Sequence, residues 1–181
     1  MNTLYGEITD TAFDAMKKIK LLICDIDGVF SDGRIYLGNN GEELKAFHTK
    51  DGYGIKALGA SGVDVAVITG RTSNIVATRM SALNVKYIVQ GEEDKLPALK
   101  KMAEKLNLSL DEIAYIGDDM PDHECIEYVG LGIAVQDAHP SILNIANYTT
   151  FNRGGFGAVR EICDLIMLSQ NTLANASGAS I

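Results

Sequence analysis

Short apolar runs closed by polar or glycine residues punctuate this chain, at 21–24, 63–68, 86–89, 113–116 and 132–135. Runs of this length, bounded by turn-forming residues, predict buried strands. Between them, apolar residues recur at helical spacing. Phe13, Met16 and Ile19 mark a helix over about 10–20. Ile75, Val76, Arg79, Met80 and Leu83 mark one over about 73–83, and Leu96, Leu99, Met102, Ala103 and Leu106 one over about 95–106. Further helices are predicted over 51–60, after Pro121, and over about 158–168. Strand and helix alternate. That alternation predicts a right-handed α/β sandwich, a Rossmann-like and mostly parallel sheet between helices.

One segment breaks the rhythm. Residues 34–37 and 43–47 are β-prone and flank Gly38-Asn39-Asn40-Gly41, so a β-hairpin is predicted over about 34–47. Between Asp32 and His48 there is room only for that hairpin. Between Thr69 and Lys95 there is room for one helix and one strand. Neither gap houses a cap domain. A single domain over 1–168 is expected, followed by a polar, small-residue tail at 169–181 that is expected to be disordered.

Composition narrows the function. The chain has 181 residues, 46% of them hydrophobic and 22% charged, which suits one globular core. No apolar stretch is long enough to span a bilayer, so no membrane partner is expected. The first residues carry neither a basic region nor an apolar one, so no secretory signal is expected. The three cysteines, Cys24, Cys125 and Cys163, form no CxxC pair, which indicates neither a zinc site nor a disulfide framework. A cytoplasmic location fits. The net charge of −8 argues against nonspecific nucleic-acid binding. It also means that an anionic substrate needs local positive charge.

Polar residues just past the strand ends carry the candidate chemistry. Asp25 and Asp27 follow the first strand, two apart, so their side chains point the same way in extended geometry. Carboxylates that close raise each other's pKa unless a cation neutralises them, and a shared Mg2+ would do so. Asp25 is placed to attack phosphorus and Asp27 to act as general acid and base. Asp118, Asp119 and Asp122 follow another strand, a cluster suited to oxygen-loving cations. Asp118 is the ligand candidate and Asp122 the support behind it. Asp119 reads equally as an acidic residue at a helix N-terminus. Thr69 stands at a strand end, where its hydroxyl and nearby amides suit a phosphate. Lys95 would neutralise phosphate and carboxylates together. His48 lies in a dense polar loop, Phe47-His48-Thr49-Lys50-Asp51-Gly52, whereas His123 and His139 read as surface residues.

A DxDG after the first strand, a Thr after the second, a Lys, and a GDDxxD resemble the motifs of the haloacid dehalogenase-like phosphatases. The similarity runs from about residue 18 to about residue 168. Within that family, LLICDIDGVFSDGRIYLGNNGEELKAFHTKDGYGIKAL, VITGRTSNIVATRM, AYIGDDMPD and NRGGFGAVRE are similar to the branch acting on 3-deoxy-D-manno-octulosonate 8-phosphate, a precursor of lipopolysaccharide sugar. The resemblance implies a phosphatase working through an aspartyl-phosphate at Asp25. It implies magnesium held by Asp25, the Asp27 backbone carbonyl and Asp118, and a phosphoryl group held by Thr69 and Lys95. It further implies that His48, Thr49, Lys50, Asp51, Gly52, Arg71 and Arg79 contact the sugar acid. Lys50 stands where the family often has Arg, so charge is kept and the planar fork is lost. A homotetramer is also implied, with hairpins assembled about an axis and a neighbour's C-terminal segment, here 153–160, closing the uncapped site. Two other assignments remain open. One is a phosphatase for a nine-carbon nonulosonate 9-phosphate. The other is a noncatalytic oligomerisation module.

Overall fold

The computed structural model describes residues 1–175. Its main sheet contains β1 (Leu21–Cys24), β4 (Asp64–Thr69), β5 (Tyr87–Gln90), β6 (Ile113–Gly117), β7 (Leu131–Ala134) and β8 (Tyr148–Thr149). A separate hairpin pairs β2 (Tyr36–Leu37) with β3 (Glu43–Leu44). The helices are α1 (Asp10–Met16), α2 (Thr49–Ala60), α3 (Asn74–Ala82), α4 (Lys95–Leu106), α5 (His123–Tyr128), α6 (Pro140–Ile145) and α7 (Ala158–Ser169). The six-stranded sheet has the order β5-β4-β1-β6-β7-β8. All its pairs are parallel, whereas the hairpin is antiparallel.

A parallel sheet covered on both faces needs strands that are apolar on both sides. Leu21, Leu22, Ile23 and Cys24 are accordingly all buried, as is the whole of β6. On one side α1, α2 and α7 pack together. On the other α4, α5 and α6 do, and both α2 and α4 reach β4. From β1 the chain steps outward to β4 and β5, then returns to the other flank of β1 for β6, β7 and β8. That reversal leaves a crevice beyond the carboxyl ends of β1, β4 and β6, the usual ligand position in such sheets.

The alternating pattern predicts this arrangement, and the differences have local causes. The first helix stops at Met16 rather than near 20, with Lys17 as its C-cap. The second begins at Thr49, not 51, because the His48 ring caps it: Nδ1 accepts from the Lys50 backbone N–H at 3.1 Å. Helix α6 and strand β8 were not expected, since six residues and two residues are too short to show a period. The hairpin pairs fewer residues than its sequence suggests. The expected tail also starts too early. The Gln170 amide donates to the carbonyls of Met16 (3.2 Å) and Ile19 (2.8 Å), and Leu173–Asn175 forms a 3-10 turn. These contacts tie residues 169–175 to the body, while the rest of the expected tail, 176–181, lies outside the described residues.

Buried charge fixes the C-terminal segment. Glu161 is fully buried on α7. Its carboxylate accepts from the Tyr148 hydroxyl (2.7 Å), the Phe151 and Asn152 amides (2.9 and 3.0 Å) and the Asn152 side chain (2.7 Å). Four donors offset the cost of burying the charge. Gly154 then packs against the Gly28 backbone so closely that any Cβ there would collide with the Gly28 carbonyl, and the Gly155 N–H donates to the Val29 carbonyl at 2.8 Å. Gly154 and Gly155 thus serve a close approach to the chain's own β1 loop.

Candidate active site

Register brings the site together. Cys24 lies level with Val67 on one side and Ile116 on the other, so Asp25, Thr69 and Asp118 leave the sheet at nearly one height. Lys95 is the first residue of α4. A cleft of about 420 Å³ is lined by Asp25, Asp27, Thr69, Arg71, Lys95 and Asp118, among others. All four segments singled out in the sequence therefore meet.

The floor is a buried ionic web. Lys95 Nζ sits 2.8 Å from Asp25 Oδ1 and 2.7 Å from Asp122 Oδ1. Asp122 Oδ1 also accepts from the Tyr115 hydroxyl at 2.7 Å. Its other oxygen accepts from the Asp118 and Asp119 backbone amides at 3.0 and 3.4 Å. Asp122 has no lone-pair direction left, which makes it the orienting group behind Asp118 and Lys95 rather than a ligand. Burial disfavours charge on Lys95, but Asp25 and Asp122 outweigh it and raise its pKa, so it stays an ammonium. Asp119 is exposed, and its carboxylate caps the turn Met120–Asp122 through the Met120 N–H at 2.8 Å.

The carboxylates gathered here fit a cation beside Asp25 and Asp118. Oxygens of Asp25, Asp118 and Asp122 lie within 4.8 Å of one another. Asp25 Oδ1 is buried and makes no well-angled hydrogen bond. Burial first, and then the Asp122 charge, push Asp25 up to about 7 despite Lys95. Burial, then Asp25, Asp122 and Asp119, push Asp118 up to about 8. One lysine does not balance this much buried negative charge, and a divalent ion beside Asp25 and Asp118 would. Gly28 keeps the space open. Its φ is +89°, and a Cβ there would fall on the Asp118 carboxylate.

Not every expected contact reaches the cleft. Arg71 does, on its rim. Thr49, Lys50 and Gly52 belong to the first turn of α2, His48 caps it, and Arg79 lies on α3; none of these five lines the cleft. Asp51 is buried between α2 and α7, where its Oδ1 accepts from the Arg160 backbone N–H at 2.8 Å and Oδ2 has no partner. Its burial excludes it from a substrate surface within this chain and gives it a structural effect instead. Burial pushes Asp51 up to about 6, against the pull of Arg160 and its N–H. Between pH 4 and 6 the folded state then holds more protons than the unfolded one, so this group costs stability as pH rises through that window. The cost is up to about 3 kcal/mol above pH 6 for a shift of about two pKa units. Urea unfolding of Asp51→Asn and the native chain from pH 4 to 7 should show the variant gaining relative stability as pH rises; a constant difference would refute the assignment.

Sequence reasoning missed Lys45 and Glu43. The Lys45 side chain, 1% exposed, forms ion pairs with Asp27 and with Glu43. Glu43 in turn holds Arg71 at 2.7 Å. The signal was present: two residues apart on a β-prone run, Glu43 and Lys45 share a face. Tyr115 was overlooked as one more apolar strand residue, although a buried tyrosine needs a partner for its hydroxyl.

A family model of haloacid dehalogenase-like hydrolases matches residues 72–159. The 3-deoxy-D-manno-octulosonate 8-phosphate phosphatase KdsC of Yersinia pestis is 49% identical over 181 residues, covering 100% of this chain and 97% of its own length. The enzyme of the same name from Escherichia coli K12 is 48% identical over 179 residues, covering 99% and 95%. The crystal structure of the Yersinia pestis phosphatase superposes with a TM-score of 0.98 at 49% identity, over 100% of this chain and 98% of that one. The Moraxella catarrhalis phosphatase, solved with a magnesium ion, a phosphate ion and a KDO molecule, superposes with a TM-score of 0.91 at 41% identity, over 93% and 97%. With identity of this level over the whole chain, the chain belongs to the 3-deoxy-D-manno-octulosonate 8-phosphate phosphatase family of haloacid dehalogenase-like hydrolases and is a phosphoric monoester hydrolase.

Proposed function

We propose that this chain hydrolyses 3-deoxy-D-manno-octulosonate 8-phosphate to the free sugar acid and phosphate, in a magnesium-dependent reaction through phosphorylated Asp25. The observation that carries the reading is the meeting of Asp25, Asp27, Thr69, Lys95 and Asp118 in one cleft with Arg71 on its rim. The relative solved with magnesium, phosphate and KDO supports the substrate and the ion. Asp25, Asp118 and the Asp27 carbonyl would hold magnesium, which supplies positive charge for the phosphate oxygens and the developing transition state.

Lys95 is held by two carboxylates and aims its charge at the same oxygens, with the Thr69 hydroxyl beside it. An Asp25 oxygen attacks phosphorus, and the bond from phosphorus to the sugar oxygen breaks. Asp27 gives that oxygen its proton. Deprotonated Asp27 then takes a proton from water as the water attacks phosphorus, and Asp25 is released. Arg71 is the cation for the substrate carboxylate, which must displace Glu43 from it.

We place the enzyme in the cytoplasm, supplying sugar for lipopolysaccharide, as a homotetramer without nucleic-acid or membrane partners. No helix among the described residues is long and apolar enough to cross a membrane. Leu37 and Leu44 on the hairpin are 72% and 65% exposed, close to exposed Ile35, an apolar patch of the kind that association covers.

Parallel turnover of the eight-carbon acid 8-phosphate, a nonulosonate 9-phosphate and a carboxylate-free hexose 6-phosphate tests the reading. The first should be the best substrate; equal rates on the hexose phosphate would sink it. Arg71→Ala should lower kcat/KM for the sugar acid by about 10-fold or more, through lost fork contacts, and change p-nitrophenyl phosphate hydrolysis little.

A further inference from the structure

The hairpin puts a lysine on the proton-transfer group. Lys45 directly follows β3, and its side chain is almost wholly buried between two carboxylates, Asp27 and Glu43. The Ser31 hydroxyl approaches the same Asp27 oxygen, at 3.5 Å. Asp27 itself is half-buried and follows the last residue of β1 by three positions. Its backbone is fixed by the β1 loop, but its carboxylate is free to turn about χ1 and χ2 unless something holds it. Glu43 keeps Lys45 in place from the other side and is itself gripped by Arg71.

We propose that Lys45 is a positioning residue for Asp27, holding its carboxyl group where it meets the leaving oxygen. The hairpin is then part of the catalytic apparatus of its own chain as well as an apolar surface. Lys45 donates to Asp27 Oδ1, which leaves Oδ2 to carry the proton, and with the lysine side chain 1% exposed the contact is screened by water less than one at the surface. Glu43 has the secondary task of setting Lys45. The inference rests on the reading of Asp27 as general acid, and the test below separates the two.

The test uses leaving groups. For kcat/KM, only steps through departure of the first product count, so the second half of the cycle drops out. A good leaving group needs no proton, and a poor one does. The full-length protein, Lys45→Met and Asp27→Asn are compared with magnesium on p-nitrophenyl phosphate, phenyl phosphate and the sugar acid 8-phosphate, in rising order of leaving-group basicity. Thermal midpoints establish that each variant is folded. Lys45→Met should lose roughly 10-fold more kcat/KM on phenyl phosphate than on p-nitrophenyl phosphate, and more again on the sugar acid, as expected for a weakened acid. Lys45→Arg, which keeps the charge, should recover part of that loss. Where Lys45→Met does not fold, Lys45→Gln loses the charge but keeps an N–H donor, and is read in the same way. A merely structural lysine would lower every ester by one factor. Equal losses, or none, alongside a leaving-group-dependent loss in Asp27→Asn would overturn the assignment of Lys45. A loss in Asp27→Asn that ignores the leaving group would overturn the acid role of Asp27, and this proposal with it.

Discussion

Asp25→Asn should reduce turnover by about 10³-fold or more, because the amide oxygen does not form the phosphoenzyme. Everything else at that position is preserved. Asn fills the same volume at the end of β1, and Lys95 keeps Asp122 as a partner at 2.7 Å. The variant should therefore fold, and its thermal midpoint should show it. The native protein quenched in acid during turnover should carry phosphate on one residue, and the variant none. Because Asp27 and Lys95 remain, a variant that still turned over at near-native rate would mean that water attacks phosphorus directly and that Asp25 is only a ligand.

Removal of divalent metal should have an effect of similar size. The cleft gathers Asp25, Asp118 and Asp122 within 4.8 Å and sets the buried Lys95 against Asp25 and Asp122. A phosphate dianion entering that field is repelled, so turnover should fall at least about 10²-fold after metal removal and return when magnesium is added. Stability gives an independent readout. Magnesium binds the folded chain and should raise its thermal midpoint, since saturation at a hundredfold excess over Kd is worth about 2.7 kcal/mol. Asp118→Ala should abolish that rise. Full turnover in chelator, with metal content measured, would refute the requirement.

The main elements were legible because each left a physical trace. Strands β1 and β6 are unbroken apolar runs, as strands buried on both faces must be. Helix α4 shows its stripe through Leu99, Met102 and Ala103, which are buried as expected. The four polar segments could be placed together because in a parallel sheet all strand ends point one way. Contacts within the hairpin were another matter. Lys45 looks like any lysine just past a two-residue strand, and its burial depends on where the hairpin folds back over the β1 loop. Asp51 misled for the same reason. It stands in a polar loop by sequence, yet the first turn of α2 directs it into the α7 interface. Local pattern fixes the element, and long-range packing decides which side of it meets the cleft.

The central position of β1 governs how such a chain is made. Leu21 pairs with Asp64 on one side and with Ile113 on the other. A ribosome delivers β1 early, with both edges unpaired, and the partner on the second edge emerges only after most of the chain has followed. Until then a strand that is apolar throughout waits with an open flank, a state prone to wrong pairing. Non-local parallel pairing of this kind is also slow to form. The same sheet order that sets Asp25 between Thr69 and Asp118 thus makes the cleft one of the last features to be completed, and it makes the nascent first half of the protein the most aggregation-prone stage of its synthesis.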